Sequence, residues 1–172
     1  TVDQLDSLKS LLLEFFKGIV VNIDDLSSTS STFSRLGFLK NKLATTFSYM
    51  FYYSYLNIWP GFFKTFIKLI ENDDNNKLRK LTIIDYYLRI LLSIHSEIGD
   101  QLYQNDPKTV EVSNNLKDVI RMNDMSSIVM NWKYIIEFIE SSNNTDDETV
   151  VVLKTLFKVI GSWVGWIDIT LI

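Results

Sequence analysis

The chain has 172 residues, 47% of them hydrophobic and 13% aromatic, with 6 glycines, 2 prolines and no cysteine. So few turn residues disfavour a many-stranded sandwich, and the lack of cysteine excludes disulfide frameworks, thiolate nucleophiles and Cys-ligated zinc while agreeing with a cytosolic or nuclear address. A net charge of -4 argues against binding nucleic acid through bulk positive charge, so any such contact must be local.

Leu5, Leu8, Leu12, Phe15, Phe16 and Ile19 follow the helical period and predict a first helix over residues 4–20. Residues 22–33 are the clearest loop. Asp24 to Thr32 holds four Ser and two Thr, side chains that compete with helix hydrogen bonds. A second helix is predicted from Ser34 to Asn57, with Leu36, Leu39, Leu43, Phe47, Met50 and Ser54 on one stripe and Phe51, Tyr55 and Ile58 beside it. Trp59-Pro60 then forces a break. Proline fits the first position of a helix and pushes the residue before it out of the α region, so a third helix is expected from Pro60 to about Glu71.

The polar run Asn72 to Asn76 precedes a fourth helix, Lys77 to Ile98, stopped by Gly99. Ile84, Leu88, Leu91 and Ile98 face one way and Ile83, Tyr87, Ile90 and Ile94 another, so this helix is expected to be sandwiched. After Asp106-Pro107 come a short helix, Ser113 to Met122, and a longer one, Asp124 to Ser141, carrying Ile128, Trp132, Ile135, Ile136 and Ile139. A loop from Asn143 to Asp147 leads to a last helix, capped by Thr145 or Asp146, through Val151, Leu156, Ile160, Val164 and Ile167. Gly161 and Gly165, four apart within it, suggest a close helix crossing. Trp59, Trp132, Trp163 and Trp166 are expected in the core.

Long helices starting near residues 33, 77 and 146 match the ~40–47 residue spacing of HEAT-type repeats, with an inserted short helix in the second unit. The fold class expected is therefore all-α, a HEAT-repeat α-solenoid of antiparallel helix pairs. The apolar end Ile169-Thr170-Leu171-Ile172 lacks a polar cap, as in a single fragment of a larger superhelix whose neighbour covers that edge. Lys64, Lys68, Lys154, Lys158 and Asp168 interrupt the apolar stretches before ~18 uncharged residues accumulate, so no membrane insertion is expected.

For chemistry, the single histidine, His95, has no second histidine or Cys-His spacing to make a metal site, and reads as a packed or partly exposed helix residue. Asp24-Asp25, Asp73-Asp74 and Asp146-Asp147-Glu148 lie at loops or helix starts, where capping and solubility explain them. Asn143-Asn144-Thr145 matches a glycosylation sequon but reads as an ordinary loop. Without a Gly-rich phosphate loop or a nucleophile elbow, no enzyme, metal or cofactor is expected. The basic residues carry more. Lys64/Lys68, Lys117/Arg121 and Lys154/Lys158 are i, i+4 pairs on three helices, with Lys77, Arg79 and Lys80 clustered between them. Such pairs suit either a solvated helix face or a surface that tracks phosphates or grips an acidic partner.

Four segments resemble the tRNA exportin family, exportin-t, of the karyopherin-β superfamily. Asn41-Lys42-Leu43 with Trp59-Pro60 and Phe62-Phe63 is similar to the exportin-type repeat of the whole superfamily. Leu88-Arg89-Ile90-Leu91 with Ile94, Ser96-Glu97-Ile98 and Asp100 resembles an exportin-t segment, as does Asn115-Leu116-Lys117-Asp118 with Arg121 and Asp124. Ile160-Gly161-Ser162-Trp163-Val164 with Trp166-Ile167-Asp168 and Leu171-Ile172 is the most specific. His95 stands where the family pattern leads one to expect Asp or Asn, and Gly165 where it has Ser. The resemblance implies exportin-like helical repeats over residues 34–172, no enzymatic activity, and a carrier that binds GTP-bound Ran and tRNA together. It also implies shuttling between nucleus and cytoplasm past nuclear pore proteins. Lys117 and Arg121, helped by Lys77, Arg79 and Lys80, then become candidates for contact with tRNA phosphates or an acidic patch of Ran, with Lys64 and Lys68 beside them; Lys42 and Asp168 read as structural. The competing expectations are a protein-cargo karyopherin or helical scaffold without RNA binding and, more remotely, a membrane-surface helical protein.

Overall fold

The computed structural model describes residues 2–21, 37–72, 76–99, 106–142 and 146–166. Among them are seven α-helices and no strand: α1 (Val2–Val21), α2 (Gly37–Ser54), α3 (Phe62–Asn72), α4 (Lys77–Ile94), α5 (Pro107–Asn123), α6 (Met125–Ser141) and α7 (Asp147–Trp163). The expected loop at 22–33 lies outside the described residues, as do most of the loops after α3 and α6 and the end of the chain, including Asp168.

The starts of α4, α5 and α7 are set locally. The side chains of Asn76, Asp106 and Asp146 accept the backbone N–H of Arg79, Thr109 and Thr149, at 3.0, 3.2 and 2.9 Å, satisfying donors that a helix start leaves open. Pro107 directly follows its cap, so α5 begins six residues before the expected Ser113, with proline where a missing N–H costs nothing. Pro60, by contrast, does not open α3. The N–H groups of Asn57, Ile58 and Trp59 all point at the Ser54 carbonyl, and Phe62 N–H bonds the Trp59 carbonyl at 3.1 Å. Pro60 is thus the second residue of a turn, a position its fixed φ also suits, and α3 starts at Phe62. The buried Trp59 ring, 4.8 Å from Phe62 and donating from Nε1 to Thr65 Oγ1, holds that turn in place.

α2, α4 and α7 lie side by side in one layer, while α3 packs across on α4 and beside α6 in the second. Each helix of the first layer begins a unit, at residues 37, 77 and 147, and α5 is the inserted helix of the second unit. This is the stacking of HEAT-like helix pairs. α4 is buried on nearly every face, as the sandwiched helix was expected to be, and it runs on into one π-helical turn, His95–Gly99, that the sequence did not announce. α1 docks through Phe16, whose ring meets Phe47, Phe66 and Tyr86 edge-on at 5.3–6.0 Å. Trp59, Trp132 and Trp163 are core residues, and Trp163 Nε1 ties α7 to α4 through the Leu91 carbonyl at 3.1 Å.

The glycine pair corrects an expectation. Among the described residues, a Cβ placed on Gly161 or Gly165 meets no atom of another element within 4 Å, so neither marks a close crossing there. Among the described residues, no helix is long and apolar enough to cross a membrane.

Candidate functional site

α5 turns Ser113, Leu116, Lys117 and Ile120 inward as one stripe. Lys117 is therefore a charged residue at a core-facing position, 6% exposed, and among the described residues it makes no hydrogen bond or ion pair. Arg121, one turn on, is half-exposed and its Nη1 lies 2.8 Å from Asp118 Oδ1. Both line a cavity of about 510 Å³ bounded by α5, by His95 and Gly99 of the π-helical turn, and by Ser162 and Gly165 at the end of α7. Burial lowers the Lys117 pKa from its ordinary value, the Arg121 charge lowers it further, and Asp118 only partly opposes them. The His95 imidazole sits directly over Gly99: a Cβ there would come within 2.4 Å of Nδ1, so only glycine leaves the ring its place.

The remaining sequence candidates go elsewhere. Lys77 Nζ is 2.7 Å from Asp146 Oδ2, joining the starts of α4 and α7. Lys80 is 3% exposed, donates to Tyr134 Oη at 2.6 Å and lies over the Tyr134 and Phe138 rings, so its ammonium is enclosed between α4 and α6. Both line a separate cavity of about 460 Å³. Arg79 contributes its backbone N–H to the Asn76 cap, with a half-buried side chain. Lys64 and Lys68 are exposed on α3, Lys64 Nζ standing 4.0 Å from Asp124 Oδ1. The structure thus brings Lys117 and Arg121 together, and Lys77 with Lys80, without merging the two groups.

The third basic pair joins residues that sequence reasoning passed over. Lys154 and Lys158 of α7 line a groove of about 420 Å³ along the first layer with Arg89 of α4 and Asn41 and Thr45 of α2. The same-face spacings Asn41/Thr45, Arg89/Ser93 and Lys154/Lys158 were visible, but the register between helices was not. Lys42, read as structural, is exposed with Nζ 5.5 Å over the Phe38 ring; the structural lysine is Lys40, whose Nζ lies 2.8 Å from Asp85 Oδ2 in the core.

Residues 37–172 match the family described as Exportin 1-like protein. The chain is similar to the Exportin-T of Yarrowia lipolytica, 40% identical over 134 residues that cover 78% of this chain and 13% of that protein. It is 35% identical to the Exportin-T of Debaryomyces hansenii over 173 residues, 98% of this chain and 15% of that protein. Against the Exportin-T of Podospora anserina it is 33% identical over 169 residues, 97% of this chain and 16% of that protein. The chain therefore spans 13–16% of the length of these relatives. The family match begins at Gly37, where α2 opens the first stacked unit, and the chain belongs to the Exportin 1-like family.

Proposed function

We propose that the protein is a nuclear export receptor for tRNA. It takes up mature tRNA together with GTP-bound Ran, passes nuclear pore proteins, and releases its cargo in the cytoplasm when the GTP is hydrolysed. The observation that carries this reading is the similarity to Exportin-T proteins along 78–98% of the chain. The stacked helix pairs suit it physically. Small rotations between neighbouring units sum into a change of curvature, and two ligands that favour the same curvature strengthen each other, typically by about 1–3 kcal/mol. Within this stretch Lys117 and Arg121 contact tRNA phosphates or an acidic patch of Ran, and Lys64, Lys68 and Arg79 add local positive charge.

The test is retention of labelled tRNA on a filter by the full-length protein, alone, with Ran–GTP and with Ran–GDP. Retention enhanced at least fivefold by the GTP form alone is expected; retention that ignores the nucleotide overturns cooperative carriage. A second reading, a protein-cargo karyopherin or helical scaffold without RNA binding, is favoured by the net charge of -4 and by the ion pairs that Lys77 and Arg121 already make. Salt separates the two. Phosphate contacts make affinity fall steeply with ionic strength, whereas an apolar groove leaves it nearly level.

A further inference from the structure

α2, α4 and α7 run parallel: Lys40 meets Asp85 and Ser48 meets Ser93, each 45 residues on, while Lys77 meets Asp146 and Leu91 meets Trp163, 69 and 72 residues on. The groove between them is lined from within these helices and the π-helical turn, by residues of 41–45, 89–96 and 151–158. Its four hydroxyls already donate elsewhere. Thr45, Ser96 and Thr155 bond the carbonyls of Asn41, Leu92 and Val151, one turn back, at 3.0, 3.1 and 2.8 Å. Ser48 donates to the Thr45 carbonyl at 2.9 Å, so the 2.9 Å contact between Ser93 and Ser48 is donated by Ser93. A hydroxyl that donates keeps its lone pairs, and these four are left to the groove as acceptors. The donors are of another kind. Lys154 and Lys158 are exposed and, among the described residues, make no hydrogen bond or ion pair. Arg89 is held by Asp85, and Asn41 gives its carbonyl oxygen to Arg89 and keeps its amide N–H groups. The flanking carboxylates, Asp147 and Glu148 before Val151 and Glu97 after Ser96, stand beyond the two ends, so the lysines hold the middle.

We propose that this groove binds an extended acidic segment of a partner protein. Lys154 and Lys158 grip its carboxylates, and Thr45, Ser93 and Thr155 accept from its backbone N–H groups. A helical segment bonds its N–H groups internally and would leave these acceptors unused. A phosphodiester brings acceptors and no donors, and among the described residues no aromatic ring lines the groove to stack a base, so RNA answers only the lysines. The site is separate from the residues read above as tRNA or Ran contacts and goes beyond that reading.

The experiment is fluorescence anisotropy of the full-length protein with a short labelled peptide of alternating Glu and Ser, whose glutamates share one face when it is extended. The same peptide with Gln for Glu and a short labelled oligouridine are the other arms. Saturable binding of the Glu peptide is expected, with none of the Gln peptide. The double change Lys154→Gln with Lys158→Gln should weaken it about tenfold, and Thr155→Val, which removes an acceptor at nearly constant shape, about threefold. Absence of saturable Glu-peptide binding overturns the site, as does binding that the lysine variant leaves undiminished. Loss in the lysine variant with none in Thr155→Val reduces the groove to general charge attraction and overturns it too. Oligouridine bound more tightly than the Glu peptide, and equally by Thr155→Val, turns it into an RNA surface. Both lysines are exposed and Thr155 is half-buried, so helical circular dichroism should match the wild type; if Thr155→Val does not fold, Thr45→Val decides in its place. Retention of tRNA with Ran–GTP by a protein that binds no Glu peptide removes this site and leaves the export reading intact. Glu-peptide binding by a protein that retains no tRNA does the reverse.

Discussion

Lys40 and Lys117 are two buried lysines with opposite solutions. Lys40 is 2% exposed and Asp85 is fully buried, and their 2.8 Å ion pair joins α2 to α4. Arg89 Nε straddles both Asp85 oxygens at 3.0 and 3.1 Å, and its Nη1 reaches Asn41 Oδ1 at 2.6 Å, so every charge in the group has a partner. Burial lowers the Lys40 pKa and Asp85 counters it. Removing one member strands the other. Asp85→Ala is expected to cost about 3–5 kcal/mol, whereas the paired replacement Lys40→Met with Asp85→Leu recovers most of that loss. Urea unfolding measures both; equal stability of the single and double variants would show that the pair carries no coupling.

At the scale of elements, units are tied by polar contacts that skip along the chain. Asp124 stands between α5 and α6 as the N-cap of α6, yet its carboxylate makes no capping bond there. It accepts instead from Tyr55 Oη, 2.5 Å away, just beyond the end of α2. This hydrogen bond pins the first chain reversal to the start of the second unit's last helix. Tyr55→Phe leaves a buried carboxylate short of a donor and is expected to cost about 1.5–3 kcal/mol, at roughly 2–4 °C of melting temperature per kcal/mol. The exposed Tyr53, changed to Phe, is the control and should melt like the wild type. An unchanged melting temperature in Tyr55→Phe would mean that Asp124 is satisfied by another group.

For the whole molecule, three buried tyrosines make the core sensitive to alkali. Burial raises the pKa of Tyr55, Tyr86 and Tyr87; Asp124 adds to it for Tyr55 and Tyr87, and Asp85 for Tyr86, which is pushed up to about 12. Unfolded tyrosines ionise near 10, so above that pH the folded state holds more protons than the unfolded one. Stability is then full below about pH 10 and falls as pH rises toward 12, by about 1.4 kcal/mol per unit for each tyrosine. Lys40 acts in the opposite sense, because its lowered pKa makes stability rise with pH, but that gain ends near the unfolded lysine value of about 10.4. Helical circular dichroism should therefore be lost between pH 10 and 12, and the last part of the phenolate absorbance, that of Tyr55, Tyr86 and Tyr87, should appear together with that loss. Full phenolate absorbance from all eight tyrosines with the helices intact would contradict the burial of these three rings.

What the sequence by itself determined is what acts within a turn or two of helix. The cap Asp146, the Trp59-Pro60 reversal, the two-sided apolar pattern of α4 and the buried Trp132 and Trp163 could all be read without coordinates, since each rests on neighbours a few residues away. Repeat spacing followed from the same signals, because a helix pair that cannot cover itself must stack. Tertiary structure decided which face each charge took. Lys40 and Lys42 are two residues apart, and one is core while the other is solvated, because Asp85, 45 residues from Lys40, stands opposite only one of them. Likewise Tyr55 finds Asp124 across 69 residues, and Trp163 finds Leu91 across 72. The basic pairs looked alike in sequence, yet packing exposed Lys64 and Lys68, enclosed Lys80 and set Lys117 on the wall of a cavity. Helical periodicity specifies a residue's angle about its own axis, and only the packing of three or more helices specifies what lies at that angle.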